Sequence, residues 1–349
     1  MYNAKILIDR LAADHTLAAD EYLYILSNTD AQTLAYINNV AAEVCASVFH
    51  KSIYIRGLIE IGNVCRNDCL YCGIRHSNSH VERYRLNRDD ILAACGEGYA
   101  LGLRTFVLQG GEEGGKASDD FITGVVREVK ELYPDAAVTL SLGEKDTDTY
   151  RRFREAGADR YLLRHETFNA AHYSSLHPAS MSRDNRLRCL ADLKRLGFQT
   201  GTGIMVGSPG QTAAHIVEDI LFIGRLRPEM IGIGPFIPHR DTPFGTCRAG
   251  SLEQTLLLLS IFRLMFPHAL IPSTTALATL SPGGREAGIL AGANVVMPNL
   301  SPASVRRKYN LYNGKACTGS ESVEGLKSLE ESFRAIGYKI DFGRGDYAG

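Results

Sequence analysis

Along most of this chain short β-rich runs alternate with longer helical patterns, and that alternation restricts the fold more than any other feature. The runs are "SIYIRGLIEI" (52–61), "RTFVLQ" (104–109), "AVTLSL" (137–142), "RYLLRHE" (160–166), "QTGTGIMVG" (199–207), "MIGIGPF" (230–236), "LIPSTTA" (270–276) and "ANVVMPN" (293–299), eight strand candidates in all. Helix signals fall between them. "LNRDDILAACGEGYALG" opens with Asn87 as N-cap and Asp90 three residues later, and "REAGAD" and "KRLGFQ" close their helices with glycine before the next strand. Eight such repeats predict an α/β fold, a (β/α)8 TIM-type barrel, because an open doubly wound sheet rarely needs eight units. Two amphipathic stretches, "DEYLYILSN" and "DAQTLAYINNVAAEVCASVF", come first, and "GLKSLEESFRAIGYK" comes last. The expected organisation is an N-terminal helical extension over 1–50, the barrel over 51–315 and a C-terminal segment over 316–349 packed on the barrel's outside. A length of 349 residues allows one barrel domain with such appendages.

Thirty-eight basic against thirty-nine acidic side chains leave a formal charge of −1, and no Lys/Arg-rich block occurs, which argues against a nucleic-acid partner. "MYNAKILIDRLAADH" has no basic region followed by an apolar one, and no apolar run approaches the roughly 18 residues of a membrane span. The expectation is a cytoplasmic protein without a membrane partner. In that reducing compartment its eight cysteines read as ligands or packed thiols rather than disulfides.

Three of those cysteines are crowded into "NVCRNDCLYCGIR" (63–75), just past the first strand candidate, on the face where barrel enzymes keep their chemistry. The Cys65-x3-Cys69-x2-Cys72 spacing lets one tight loop wrap three thiolates around three irons of a [4Fe–4S] cluster, leaving the fourth iron open. A structural zinc site would want a fourth ligand, for which His76 or His80 stands nearest, but zinc does not account for the position at the barrel mouth. "LQGGEE" (108–113) ends the second strand with a glycine pair and an acid. In "RYLLRHETFN" the period of two puts Arg164 and Glu166 on one face, as a functional pair or as a mutual ion pair worth little. "RDNRLRCL" (183–190) begins the helix after it and carries Arg186.

With Tyr71 immediately before the third cysteine, the triad resembles the signature of the radical S-adenosylmethionine superfamily. That resemblance implies an open iron that chelates the amino and carboxylate groups of S-adenosylmethionine, and reductive cleavage to a 5′-deoxyadenosyl radical. It implies that Gly110, Gly111 and Glu112 hold the cofactor's ammonium group, with Tyr71, Thr139 and Ser141 as further cofactor contacts. "RYLLRHET", "MVGSPGQT", "GIGPFIPHRDTP", "IPSTTA", "PGGRE" and "GANVVMPN" are similar to the family of radical enzymes that mature [FeFe]-hydrogenase. In that family a glutamate and an arginine matching Glu166 and Arg186 hold S-adenosylmethionine. Arg56, Arg164, Met230, Thr274, Thr275, Met297 and Tyr312 match its substrate cavity, which suits a soft anion.

The implied substrate is an iron precursor with cysteine, carbonyl and cyanide ligands, Fe(CO)2(CN), received from a sister maturase, with transient contacts to other hydrogenase maturation proteins. Some members carry a second cluster on three C-terminal cysteines. Here only Cys317 stands in that segment, so one cluster per chain is expected, with Cys45, Cys95, Cys189 and Cys247 as packed or incidental thiols. His239 is expected to shape the rim. The rival readings are a lysine mutase making 3-methylornithine and a non-catalytic iron–sulfur carrier; biotin synthase fails because no later strand carries the cysteines it needs.

Overall fold

The computed structural model describes residues 2–316 and 321–349. Three helices lead, α1 (Ala4–Asp14), α2 (Ala19–Asn28) and α3 (Ala31–Phe49). Asn3 caps α1 by accepting from the Lys5 and Ile6 amides, and Asp30 caps α3 through Thr33 N. The buried stripes Leu7, Ile8, Leu11 and Ile37, Ala41, Cys45 turn towards the rest of the molecule. The sequence pattern marks α2 and α3 but passes over α1, whose apolar stripe is only three residues deep.

The alternation then runs as β1 (Ser52–Ile55), β2 (Gly57–Gly62), α4 (Arg88–Ala100), β3 (Thr105–Gly110), α5 (Lys116–Leu132), β4 (Ala137–Ser141), α6 (Thr147–Glu155) and β5 (Arg160–Leu162). It continues through α7 (Ala170–Leu176), α8 (Arg183–Arg195), β6 (Gln199–Thr202), β7 (Met205–Val206), α9 (Ala213–Leu226), β8 (Met230–Ile231), β9 (Gly234–Pro235) and α10 (Leu252–Met265). The last elements are α11 (Thr275–Leu280), α12 (Gly284–Leu290), β10 (Val295–Val296), α13 (Ala303–Arg306), α14 (Leu326–Ala335) and β11 (Lys339–Asp341). The expected cap of α4 is a capping box between Asn87 and Asp90. Gly157 and Gly197, at φ +109° and +76°, turn the chain out of α6 and α8 as the sequence suggests.

Every ladder is parallel. Six strands pair in the order β2-β3-β4-β5-β6-β8, three in the order β10-β1-β11, and β7 pairs with β9. Single parallel bridges join Met230 to Leu270, Pro272 to Val295 and Leu58 to Asn299. Pairing therefore continues past the six-stranded sheet through isolated bridges rather than one closed ladder. The expected strand over 270–276 shrinks to its bridges at Leu270 and Pro272. Proline has no N–H to donate, and Thr274 already stands at the N-cap of α11.

Side chains alternate across these strands. A Cβ on Gly57 would meet Leu300 and Phe106, so that face turns to the helices, and Arg56, Leu58 and Glu60 turn the other way into the lumen. The outer face carries Phe106, Leu108, Val138, Leu140 and Tyr161 into the core shared with the helices. Beyond α14, β11 runs beside β1 in the register Ser52↔Lys339, and the tail passes beneath the strand starts. There the Arg344 carbonyl accepts from Thr105 Oγ1 and from Arg160 Nη2, both at 2.8 Å, and Asp346 pairs with Arg160 at 2.5 Å. Arg160 is wholly buried, and Arg56 donates to the Gly345 carbonyl at 3.3 Å, so the tail floors the lumen. No described helix is long and apolar enough to cross a membrane.

Candidate active site

The loop after β2 carries three free, half-buried thiols, Cys65, Cys69 and Cys72. Its shape is set by Arg83, whose guanidinium donates to the carbonyls of Asn63 (2.7 Å), Ile74 (2.8 Å), Arg75 (2.6 Å), His76 (3.3 Å) and Asn78 (3.1 Å). Two glycines let neighbouring backbone close on it. A Cβ on Gly111 would lie 2.1 Å from the Val64 carbonyl oxygen, and one on Gly73 2.2 Å from that of Asn310. His239, buried, packs on Gly73 and meets Asn310 at 3.2 Å, shaping the rim.

Burial, reinforced by the repulsion of neighbouring thiols, pushes the Cys69 thiol far up and that of Cys72 to about 12; burial also raises Cys65. Such a trio takes its thiolate form only against a positive partner, as ligated iron supplies. The histidines a zinc reading would need are engaged elsewhere, His80 with Asp241 at 3.2 Å and His76 with the Cys65 carbonyl at 3.3 Å. Among the described residues no group of three or more His, Cys, Asp or Glu side chains is gathered to hold a single metal ion. The fit to a cluster rests on the donor set, three thiols on one pre-shaped loop. Cys317 lies outside the described residues. Cys45, Cys95 and Cys189 are buried, and Cys247 is half-buried.

Charged groups flank the loop on two sides. Gly110 ends β3, Gly111 N donates to the Gly62 carbonyl at 3.0 Å, and buried Glu112 receives Arg66 at 2.8 Å and the Glu144 amide at 2.9 Å. Gly143, at φ +76°, leaves the space that Glu112 fills. On the other side Arg164 pairs with Glu166 at 2.9 Å, and buried Arg186 pairs with Glu144 at 2.6 Å and donates to the Arg164 carbonyl at 2.8 Å. The charges of Glu166 and Arg186 both reach Cys69, whose Sγ lies 3.6 Å from Met181 Sδ. Tyr71 is half-buried against the loop and bonds His177 Nε2 at 3.1 Å.

Below the loop lies the lumen. On β4 the strand register sets Ser141 above Thr139, Arg164 lies past the end of β5 and Thr274 at the N-cap of α11, and Arg56 and Met230 meet at the floor, 3.3 Å apart between Nη1 and Sδ. Met297 packs with Met230, Leu270 and Val295. Thr275 turns aside to Glu321 at 2.8 Å, and Tyr312, close to Thr279, feels the charge of Arg164. Four buried lumen atoms have no hydrogen-bond partner among the described residues: Arg56 Nε, Thr139 Oγ1, Arg164 Nε and Thr274 Oγ1. Sequence reasoning misses Glu60, fully buried, bonded by Asn299 at 2.9 Å and paired with Lys315. Its signal is present as the lone charge in the apolar strand "GLIEIG"; Lys315, Arg83 and Glu144 give none.

Comparison with known proteins accords with this arrangement. The radical SAM superfamily profile matches residues 59–223. The chain is 42% identical over 300 residues to the [FeFe] hydrogenase maturase subunit HydE of Thermotoga maritima, across 86% of this chain and 85% of that one. It is 27% identical over 297 residues to the 3-methylornithine synthase of Methanosarcina barkeri, across 85% and 83%. The crystal structure of a methylornithine synthase superposes with a TM-score of 0.83 at 25% identity, over 96% of this chain and 97% of that one. The protein is thus a radical SAM enzyme, and it belongs to the family of the [FeFe] hydrogenase maturase HydE.

Proposed function

We propose that the enzyme acts in assembly of the [FeFe]-hydrogenase diiron centre, on a cysteine-ligated Fe(CO)2(CN) precursor handed over by a sister maturase in the cytoplasm. The observation that carries this reading is the set of unpartnered donors in the lumen. Arg56 Nε and Arg164 Nε can only donate, and Thr274 offers a hydroxyl. A buried donor left unmade costs about 1–3 kcal/mol, which an anionic ligand at these three points would recover. Glu60, the carboxylate in the same space, is already neutralised by Lys315 and Arg164 by Glu166, so the charge left for a ligand is that of Arg56.

One [4Fe–4S] cluster held by Cys65, Cys69 and Cys72 would supply the electron that cleaves S-adenosylmethionine. Around it the chain's own groups divide the work of gripping the cofactor. Glu112, presented by Gly110 and Gly111, offers a carboxylate to an ammonium group; Glu166 and Arg186 offer one charge of each sign; Tyr71, Thr139 and Ser141 bound the same space. Arg56, Arg164, Thr274 and Tyr312 hold the anion, while Thr275 is engaged by Glu321, and Met230 and Met297 give the anion polarizable walls.

The test is anaerobic hydrogenase maturation from purified components lacking only this protein. Hydrogen evolution restored by the cluster-reconstituted chain with S-adenosylmethionine, and lost with Cys69→Ala, is the expected result. Formation of 5′-deoxyadenosine without hydrogen would overturn the substrate while leaving the enzyme class intact, and lysine would then be tried.

A further inference from the structure

Glu166 sits in an unusual place for a glutamate. Its φ is +66°, a left-handed value that side chains with a Cβ rarely adopt. The Thr167 amide donates to the His165 carbonyl at 2.8 Å, closing a three-residue turn with Glu166 at its centre, and the Glu166 amide donates to the Gly203 carbonyl at 3.1 Å. Such a conformation persists only where the surroundings over-determine it.

Those surroundings converge on one carboxylate. Asp219, on α9 and wholly buried, takes the Phe168 amide on Oδ1 at 2.5 Å and meets His165 Nε2 with the same oxygen at 3.2 Å. The other ring nitrogen of His165 meets Thr202 Oγ1 on β6 at 2.8 Å. Asp219 therefore grips the chain on both sides of Glu166, and Thr202 fixes the ring that carries one of the grips. Asp219 Oδ2 has no hydrogen-bond partner among the described residues. In an interior lined by Phe222 and Ile220 a buried carboxylate costs more than an apolar residue of the same size, so packing alone does not account for it.

We infer that Asp219, acting through His165 and the Phe168 amide, is a positioning residue that holds Glu166 in its strained turn so that its carboxylate reaches S-adenosylmethionine. The inference rests on the reading of Glu166 as a cofactor contact. It adds a layer of three residues, Asp219, His165 and Thr202, none of which faces the lumen. Supporting groups of this kind shift ligand affinity by about 10–100-fold when removed.

The test uses the full-length, cluster-reconstituted chain and reads the dissociation constant of S-adenosylmethionine by anaerobic equilibrium dialysis. Glu166→Gln sets the reference loss. Asp219→Leu, which keeps the branched outline and removes both grips, is expected to weaken binding about tenfold or more at unchanged iron content. Asp219→Asn, whose Oδ1 can still accept from both the Phe168 amide and His165 Nε2–H, should restore affinity to within about twofold. In the double variant Asp219→Leu/Glu166→Gln the losses should not add, since both act through one carboxylate. Full additivity, or wild-type binding by Asp219→Leu beside a weakened Glu166→Gln, would overturn the inference alone. Wild-type binding by Glu166→Gln would overturn the cofactor reading of Glu166 and this inference with it. Should Asp219→Leu fail to fold, Thr202→Val carries the same test, with a few-fold weakening expected and wild-type affinity overturning the proposal.

Discussion

Tolerance is narrow at Gly111, where a methyl group would have to share space with the Val64 carbonyl at the base of the cysteine loop. Gly111→Ala should leave a soluble, folded chain that retains much less iron after reconstitution than the wild type; equal iron and sulfide per chain would show that the loop can yield. His177 permits a second prediction. Burial holds its pKa down to about 4, with Nδ1–H given to the Tyr173 carbonyl and Nε2 left to accept from Tyr71. Between about pH 6.5 and 4 the unfolded state protonates this ring and the folded state resists, so stability should fall as pH drops through that window. Urea midpoints should show this slope, and His177→Gln should flatten it. Much of the site at this scale can be read directly, because cysteine spacing, a glycine pair before an acid and charges at a strand end are local patterns. Glu60 and Lys315 are 255 positions apart and meet only once the chain has folded, so no local pattern announces the pair.

Elements are legible to the degree that their signals are internal to them. The capping box of α4 and the closing glycines of α6 and α8 announce those helices whatever surrounds them. The run over 270–276 reads as a strand by composition, yet Pro272 and the start of α11 leave it only single bridges. β11 is the opposite case, three residues with no periodicity that become a strand because β1 offers them an open edge. The tail beyond β11 lends itself to a stability measurement. Asp346→Ala would strand the guanidinium of Arg160, and chemical denaturation should show a loss of about 2–3 kcal/mol, below the roughly 3–5 kcal/mol of a fully buried pair because Asp346 is 37% exposed. A loss below about 0.5 kcal/mol would mean that water reaches Arg160 from beneath.

For the molecule as a whole, a formal charge of −1 says nothing of where charge is placed. Arg56, Arg164, Thr139 and Thr274 present buried polar atoms to the lumen, and many outer charges pair with one another, a separation that only the fold creates. If the lumen binds an anion, Arg164→Ala and Thr274→Val should each cut hydrogenase maturation at least about tenfold while 5′-deoxyadenosine still forms without substrate. Parallel loss of both activities would mean that these side chains serve the cofactor instead.

The floor laid by residues 344–347 has a kinetic corollary. With Arg56 and Arg160 sealed over from below, traffic must be single file through the end ringed by the cysteine loop. A small guest has to arrive before S-adenosylmethionine settles above it, and it departs only after the nucleoside fragments have gone. Isotope trapping and product-inhibition patterns should then show a compulsory sequence with the cofactor second, and a random sequence would mean that the floor opens during turnover.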